Sequence, residues 1–350
     1  MLSLHIIRIL ILTGISFFVA LILTPFVTRF LYRIKAGKQI GREGSAPVFF
    51  SLHQKKAGTP TMGGLIIWIT VVGLSIIFFL LGVVFDGMWS YLNFVDRAET
   101  YLPIIAMLIA ALLGLADDVL ANLKKGTNAG GGVPVKFKLL LYLLIGFVGA
   151  YWFYYKLGWT VFSIPFVGTL EIQGWYIPIF IFVIAATAFS ANETDGLDGL
   201  LGGTSLFTFA SLAVVAFVLG RYDLAAFSCV VIGALLAFLW FNIYPARFFM
   251  GDTGSMALGI TMGVIALLTN TALFLPFFAP ILVLESASVI IQMISKKIFK
   301  KKIFISTPIH HHFEALGWPE SRVTMRFWII AAISNGIGLV LFFLSRIIVQ

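Results

Sequence analysis

The sequence predicts an all-α, polytopic integral membrane protein of about ten transmembrane helices, and three observations carry that prediction. Charged residues make up 11% of the 350 positions and apolar ones 60%, with a mean hydropathy of +1.03, whereas about a quarter of a soluble domain is charged. Apolar runs of roughly 18 residues or more, the length that crosses a bilayer, recur from end to end. The 24 Lys and Arg residues fall mostly on alternate connections between those runs.

Taken in order, the spans lie near 9–31, 62–84, 101–116, 138–156, 175–191, 200–219, 224–242, 254–270, 272–295 and 327–347. The first follows Arg8 as a signal peptide would. No small-residue cleavage site precedes Thr24-Pro25 and the basic segment beyond, so it is read as a retained span. The third and fifth are short and each ends in a carboxylate cluster, which a tilted helix tolerates. Alternation then sorts the connections. One set holds Arg29, Arg33, Lys35, Lys38, Arg42, Lys55, Lys56, Lys124, Lys125, Lys136, Lys138, Arg247, Lys296, Lys297, Lys300, Lys301, Lys302, Arg322 and Arg326; the other holds Arg8, Arg97, Lys156, Arg221 and Arg346. By the positive-inside rule the first set is cytoplasmic and both termini are external.

Residues 1–350 read as one bundle, and the net charge of +9 as a record of topology, with no nucleic-acid partner expected. The single cysteine, Cys229, permits no intramolecular disulfide and reads as a small packing residue in an apolar run. On the external side, 157–175 alternates apolar residues around Pro165 and Gly168 as a small hairpin does.

An aspartate at the centre of an inserted helix costs about 2.5 to 3.5 kcal/mol, so acidic positions near spans carry information. Here they gather on the basic side. Asp117-Asp118 closes the third span, Asn192, Glu193, Asp195 and Asp198 stand between the fifth and sixth, and Asp252 stands between the seventh and eighth. Alone, Asp117-Asp118 reads equally well as a solvated helix end. Together, five aspartates at three helix ends facing one compartment repel one another unless a cation sits among them, and oxygen-only ligands favour Mg²⁺.

FFMGDTGS at 248–255 offers an apolar wall, an acidic ligand and glycines that let backbone N–H groups approach a phosphate; by itself it reads first as a tight turn with Asp252 as helix cap. HQKKAGTPTMGG at 53–64 places Lys55 and Lys56 to engage phosphates and Thr59 and Thr61 ahead of the second span; alone it is a juxtamembrane basic turn. Three of the five histidines stand in TPIHHHFE at 307–314. Successive side chains of regular structure point about 100° or 180° apart, so these three do not converge on one metal. An irregular loop offering imidazole donors to phosphate or ribose oxygens fits better. His5 and His53 are isolated and read as ordinary.

These residues, in this order, resemble the phospho-N-acetylmuramoyl-pentapeptide transferases of the polyprenyl-phosphate N-acetylhexosamine-1-phosphate transferase superfamily. The landmarks are KKAGTPTMGG at 55–64, DD at 117–118, NETDGLDGL at 192–200, NIYPARFFMGDTGS at 242–255 and PIHHHFEALGWPESRVTMRFW at 308–328. The resemblance runs nearly end to end and implies ten helices, both termini outside, a cytoplasmic cleft in a bacterial inner membrane and a homodimer. It implies transfer of phospho-MurNAc-pentapeptide from UDP-MurNAc-pentapeptide to undecaprenyl phosphate, with Mg²⁺. By that resemblance Asp252 is a Mg²⁺ ligand, and Asp117 and Asp118 handle the lipid phosphate; His311 is grouped with these three as catalytic. Asn192, Asp195 and Asp198, with Lys56 and Thr61, line the nucleotide site, Phe249 stacks on uracil, and Asn242 and Gly251 adjoin it. His310, His312 and Glu285 complete the cleft, and Lys125 and Lys138 match basic positions lining it.

Two positions depart from the pattern: Phe189 stands where many members have Asn, and Glu193 replaces a commonly apolar residue. Two other functions compete. A sister enzyme would move GlcNAc-1-phosphate from UDP-GlcNAc to the same carrier. A transporter would place charged groups near the midplane and on both sides, whereas here they cluster at one side.

Overall fold

The structure, a computed structural model, describes residues 2–37, 56, 58–95, 98–123 and 132–349. Ten long helices follow in chain order among them: α1 Leu2–Arg33, α2 Leu65–Val84, α3 Ala98–Asn122, α4 Val135–Tyr151, α5 Tyr176–Thr194, α6 Leu200–Val218, α7 Tyr222–Asn242, α8 Asp252–Leu268, α9 Pro280–Ile298 and α10 Glu320–Val349. They fall on the predicted spans. Eight of them, α1 to α7 and α10, are long and apolar enough to cross a membrane. With 17 residues, α8 is shorter, about 26 Å at 1.5 Å per residue.

The ninth span is not the continuous helix expected over 272–295. Ala272–Phe278 and Pro280–Ile298 are separated at Ala279 and bent by 92°. Pro280 has no N–H to donate, and its ring disfavours the helical conformation at the residue before it; Ala279 accordingly takes φ −127° and ψ 51°. Beyond the bend, α9 buries Glu285, Ser286, Ser288, Gln292 and Ser295 and turns Val283, Leu284, Ile290, Ile291 and Ile294 outward. Polar inside and apolar outside is the reverse of a helix on a soluble protein, and it suits a helix whose solvent is lipid.

A gradient of burial runs from the centre to the rim. Every residue of α8 after Asp252 is buried, and α8 packs on α3 and α5. By contrast α1, α4 and α10 bury less than a third of their most apolar stretch and expose Phe26, Phe147 and Ile347. Several hydroxyls inside the bundle bond back along the chain: Thr24, Ser75, Thr204, Thr261 and Thr269 each donate to the carbonyl four residues back, while Ser16, Thr208 and Thr253 donate to a carbonyl of another segment.

The two ends of the bundle differ. At one, Arg8 of α1 pairs with Asp223 at the start of α7, and Ser345 near the end of α10 accepts the N–H of Phe166. Phe166 belongs to the expected hairpin, β1 Val161–Ile164 paired antiparallel with β2 Gly168–Glu171. His5 stacks on Tyr222 there. At the other end, α3, α5, α7 and α9 finish, α2, α4, α6, α8 and α10 begin, and the aspartates collect.

Candidate active site

Helix ends bring the acidic residues together, and the loop from Asn242 to Asp252 lies among them. Asp118, buried at the end of α3, accepts the N–H of Asp252 on one oxygen at 3.1 Å and that of Thr253 on the other at 3.0 Å. It is thus a cap on α8 supplied by another helix. Asp195 accepts the N–H of Gly251 at 3.0 Å, and Asp198 accepts that of Ala246 at 3.0 Å. Gly251 has φ +74°, and a Cβ there would stand 2.6 Å from Asp118 Oδ2 and 2.8 Å from Thr61 Oγ1, so only glycine closes this turn. The Thr61 segment is tied to the same loop: Phe249 N–H donates to Pro60 C=O, and Gly63 N–H to Phe249 C=O.

Three of the five aspartates therefore spend carboxylate oxygens on backbone N–H groups of the loop and of the start of α8, which relieves part of the repulsion expected among them. Asp117 and Asp252 are the two that converge. Lys138 Nζ lies 2.6 Å from Asp117 Oδ2 and also contacts Asp252 Oδ2. The second oxygen of Asp252 accepts from Asn192 Nδ2 at 2.7 Å, and the second oxygen of Asp117 from the N–H of Val133. Asn192 also donates to Ser255 Oγ at 3.2 Å.

A second charged group adjoins this one through Asp198. Lys56 Nζ is 2.6 Å from Asp198 Oδ1 and 2.5 Å from Glu320 Oε1, and 5.4 Å from the centre of the Phe249 ring. Burial by itself lowers the Lys56 pKa; the Glu320 and Asp198 carboxylates outweigh it and hold the ammonium above the usual lysine range. Asn242 joins the two loops, accepting the N–H of Gly199 at 3.0 Å and donating to the carbonyl of Phe248 at 2.8 Å. Glu320 was not singled out from the sequence. Its signal was the acidic residue opening the last helix after Pro319, within the long histidine-containing segment.

The histidine segment is a helix, Ile309–Ala315, rather than the irregular loop expected. Pro308 stands as its N-cap, where a missing N–H costs no helical hydrogen bond. The three rings go to three partners. His310 Nδ1 is 3.0 Å from Glu285 Oε2, both side chains fully buried, and its Nε2 lies so close over Gly196 that a Cβ there would be 2.1 Å away. His311 Nδ1 meets Glu314 Oε2 at 2.7 Å, and His312 Nδ1 accepts the N–H of Ile305 at 3.2 Å. His310 and Glu285 thus reach the 192–200 loop, while His311 meets Glu314 and His312 meets Ile305, both close by in the chain. Lys125, Lys55 and His53 lie outside the described residues. Of the two departures, Phe189 packs against the apolar core and Glu193 is half-buried beside Asn192.

The chemical resources gathered here are paired carboxylates sharing a lysine, a loop with its N–H groups held in place, and an aromatic ring under an ammonium. Comparison with known proteins gives these resources a family. A model described as "Glycosyl transferase family 4" matches residues 100–270, and one described as "Phospho-N-acetylmuramoyl-pentapeptide-transferase signature 1" matches residues 56–67. The phospho-N-acetylmuramoyl-pentapeptide-transferase of Anoxybacillus flavithermus (strain DSM 21510 / WK1) is 40% identical over 329 residues, 93% of this chain and 95% of the relative. That of Desulforamulus reducens (strain ATCC BAA-1160 / DSM 100696 / MI-1) is 38% identical over 332 residues, 93% of each chain. That of Bacillus subtilis (strain 168) is 38% identical over 315 residues, 89% of this chain and 91% of the relative. Similarity at this level, spread over nearly the whole length of both partners, means that the chain belongs to the phospho-N-acetylmuramoyl-pentapeptide-transferase family.

Proposed function

We propose that the protein transfers phospho-MurNAc-pentapeptide from UDP-MurNAc-pentapeptide to undecaprenyl phosphate, giving lipid I and UMP. The observation that carries this reading is the end-to-end similarity to transferases of that name, which favours it over the UDP-GlcNAc alternative. In the reaction a lipid phosphate oxygen bonds to the sugar-bearing phosphorus, and the bond from that phosphorus to the bridging oxygen breaks, the oxygen and the electron pair leaving with UMP. Such transfers depend on positioning and charge neutralisation more than on covalent work by the protein.

Mg²⁺ belongs to this reading, and the residues fit it: Asp117 and Asp252 already converge on one cationic point, the Lys138 ammonium, and both offer hard oxygens. When bound, Mg²⁺ neutralises and orients diphosphate oxygens. Asp252 would hold it, with Lys138 moving aside. Asp117 orients the lipid phosphate or takes a residual proton. A phosphate monoester has a second pKa of about 6, so the lipid phosphate is largely dianionic at neutral pH and attacks directly with little help from a base. Asp118, Asp195 and Asp198 hold the loop that presents Asp252, and Lys56, Phe249 and Asn242 form the nucleotide half. His310, Glu285 and His311 close the cleft.

The site end faces the cytoplasm of a bacterial inner membrane in this reading, supported by the Lys and Arg residues that share that end, and the protein works as a homodimer. The test supplies each radiolabelled donor separately, UDP-MurNAc-pentapeptide or UDP-GlcNAc, to the purified chain with undecaprenyl phosphate and Mg²⁺. UMP and labelled lipid from the first donor are expected. Product from the second alone gives the sister activity, and no UMP from either leaves transport as the better account. A phosphorylated enzyme trapped with donor and no lipid would replace direct attack by a two-step route.

A further inference from the structure

The nucleotide half is held from the far end of the sequence. Glu320, Thr324 and Trp328 lie at i, i+4 and i+8 on α10 and so share one face, about 6 Å apart along the axis. Glu320 Oε1 accepts the N–H of Asp198 at 2.6 Å, Thr324 Oγ1 donates to the carbonyl of Asp198 at 3.2 Å, and Trp328 Nε1 donates to the carbonyl of Gly199 at 3.1 Å. The remaining group of this pair, Gly199 N–H, goes to Asn242. Four consecutive backbone groups are thus each taken by a side chain, three of them from α10. The same Glu320 oxygen receives the Lys56 ammonium, with the Glu320 side chain 8% exposed.

Resting on the function proposed above, we infer that Glu320 is a positioning residue for the nucleotide half of the donor, setting Asp198 and Lys56 through the α10 stripe that it shares with Thr324 and Trp328. A carboxylate that fixes both the backbone of one binding residue and the ammonium of another orders the subsite before the ligand arrives. Losing it weakens binding without touching the reacting phosphorus. Glutamine at 320 keeps the size and one acceptor but removes the charge that holds Lys56.

The experiment compares the purified full-length chain with Glu320→Gln, Glu320→Asp and Thr324→Val. It measures KM for UDP-MurNAc-pentapeptide at saturating lipid, KM for undecaprenyl phosphate at saturating donor, kcat, and Kd for UMP alone. Glu320→Gln is expected to raise the donor KM and the UMP Kd about ten-fold while the lipid KM and kcat change by less than about two-fold. Glu320→Asp recovers part of the loss, and Thr324→Val gives a shift of about two- to four-fold in the same direction. Unchanged donor KM and UMP Kd in folded Glu320→Gln, or an equal rise in both KM values, overturns the assignment. If Glu320→Gln does not fold, Thr324→Val decides by the same split. A parent that forms no UMP from the donor defeats the proposed function, yet the UMP Kd still scores the positioning role.

Discussion

The two ends of this bundle handle buried charge differently. At the end bearing Arg8, the guanidinium serves Asp223 at 2.7 Å and a neutral carbonyl, that of Asn93, at 2.5 Å. Among the described residues one guanidinium meets one carboxylate and a carbonyl dipole, and the pair ties α1 to α7. At the other end Lys138 is shared by Asp117 and Asp252, and Lys56 by Asp198 and Glu320. Two carboxylates per ammonium leave each group with surplus negative charge among the described residues, sustained in a setting where unpaired charge is costly. A pair of one cation and one carboxylate is neutral in itself; two carboxylates on one ammonium are not. The difference separates architecture from chemistry without reference to any relative.

The sharpest way to break that comparison is Asp252→Asn. It removes the charge at the converging point while keeping the shape, and transfer is expected to fall by about 10²- to 10³-fold in the UMP-release assay. Circular dichroism should stay that of the parent; near-normal turnover would remove Asp252 from the site. Next, Lys138→Gln leaves Asp117 and Asp252 facing each other without their shared cation. Its melting temperature in chelator should drop by a few degrees, and added Mg²⁺ should restore more of that drop than it adds to the parent. Equal Mg²⁺ responses in the two proteins would mean that the acids do not form a common cation site.

Asp118→Ala is expected to act more weakly and in another way. Its oxygens cap α8, so the loss is about 1 to 3 kcal/mol of stability with a moderate fall in kcat and no change in the Mg²⁺ concentration at half-maximal rate. A large shift in that concentration would make Asp118 a ligand after all. The smallest effect on catalysis belongs to Asp223→Asn at the opposite end. Breaking a buried pair from one side costs about 3 kcal/mol or more when burial is complete, less here because both groups keep some exposure. The melting temperature should fall while both KM values hold.

Much of the fold was legible because lipid imposes a simple code. Runs of apolar residues give the helices, and the sorting of Lys and Arg gives the two ends. The hairpin around Pro165 and Gly168 was equally plain, since strand alternation and turn residues are local signals. The break at Ala279 was harder, because hydropathy averages across a proline that the backbone cannot ignore. The histidine segment failed for a related reason. Adjacent histidines say nothing about helix formation, and it took Pro308 at the start and partners as distant as Glu285 to fix each ring.

Within the site, the sequence named the aspartates but not their division of labour. Asp117 and Asp118 are neighbours of one type, yet they point one side chain to Lys138 and the other to the backbone of α8, because successive residues on a helix diverge by about 100°. Glu320 carried no motif strong enough to stand out, since its partners Lys56 and Asp198 lie 264 and 122 residues away in the chain. Composition, periodicity and local turn chemistry act over a few residues, so the sequence by itself determined where most of the long helices lie and the acidic inventory. Which carboxylates share a cation and which hold a loop is set by distances between helices that meet only on folding, and that was decided by the tertiary structure alone.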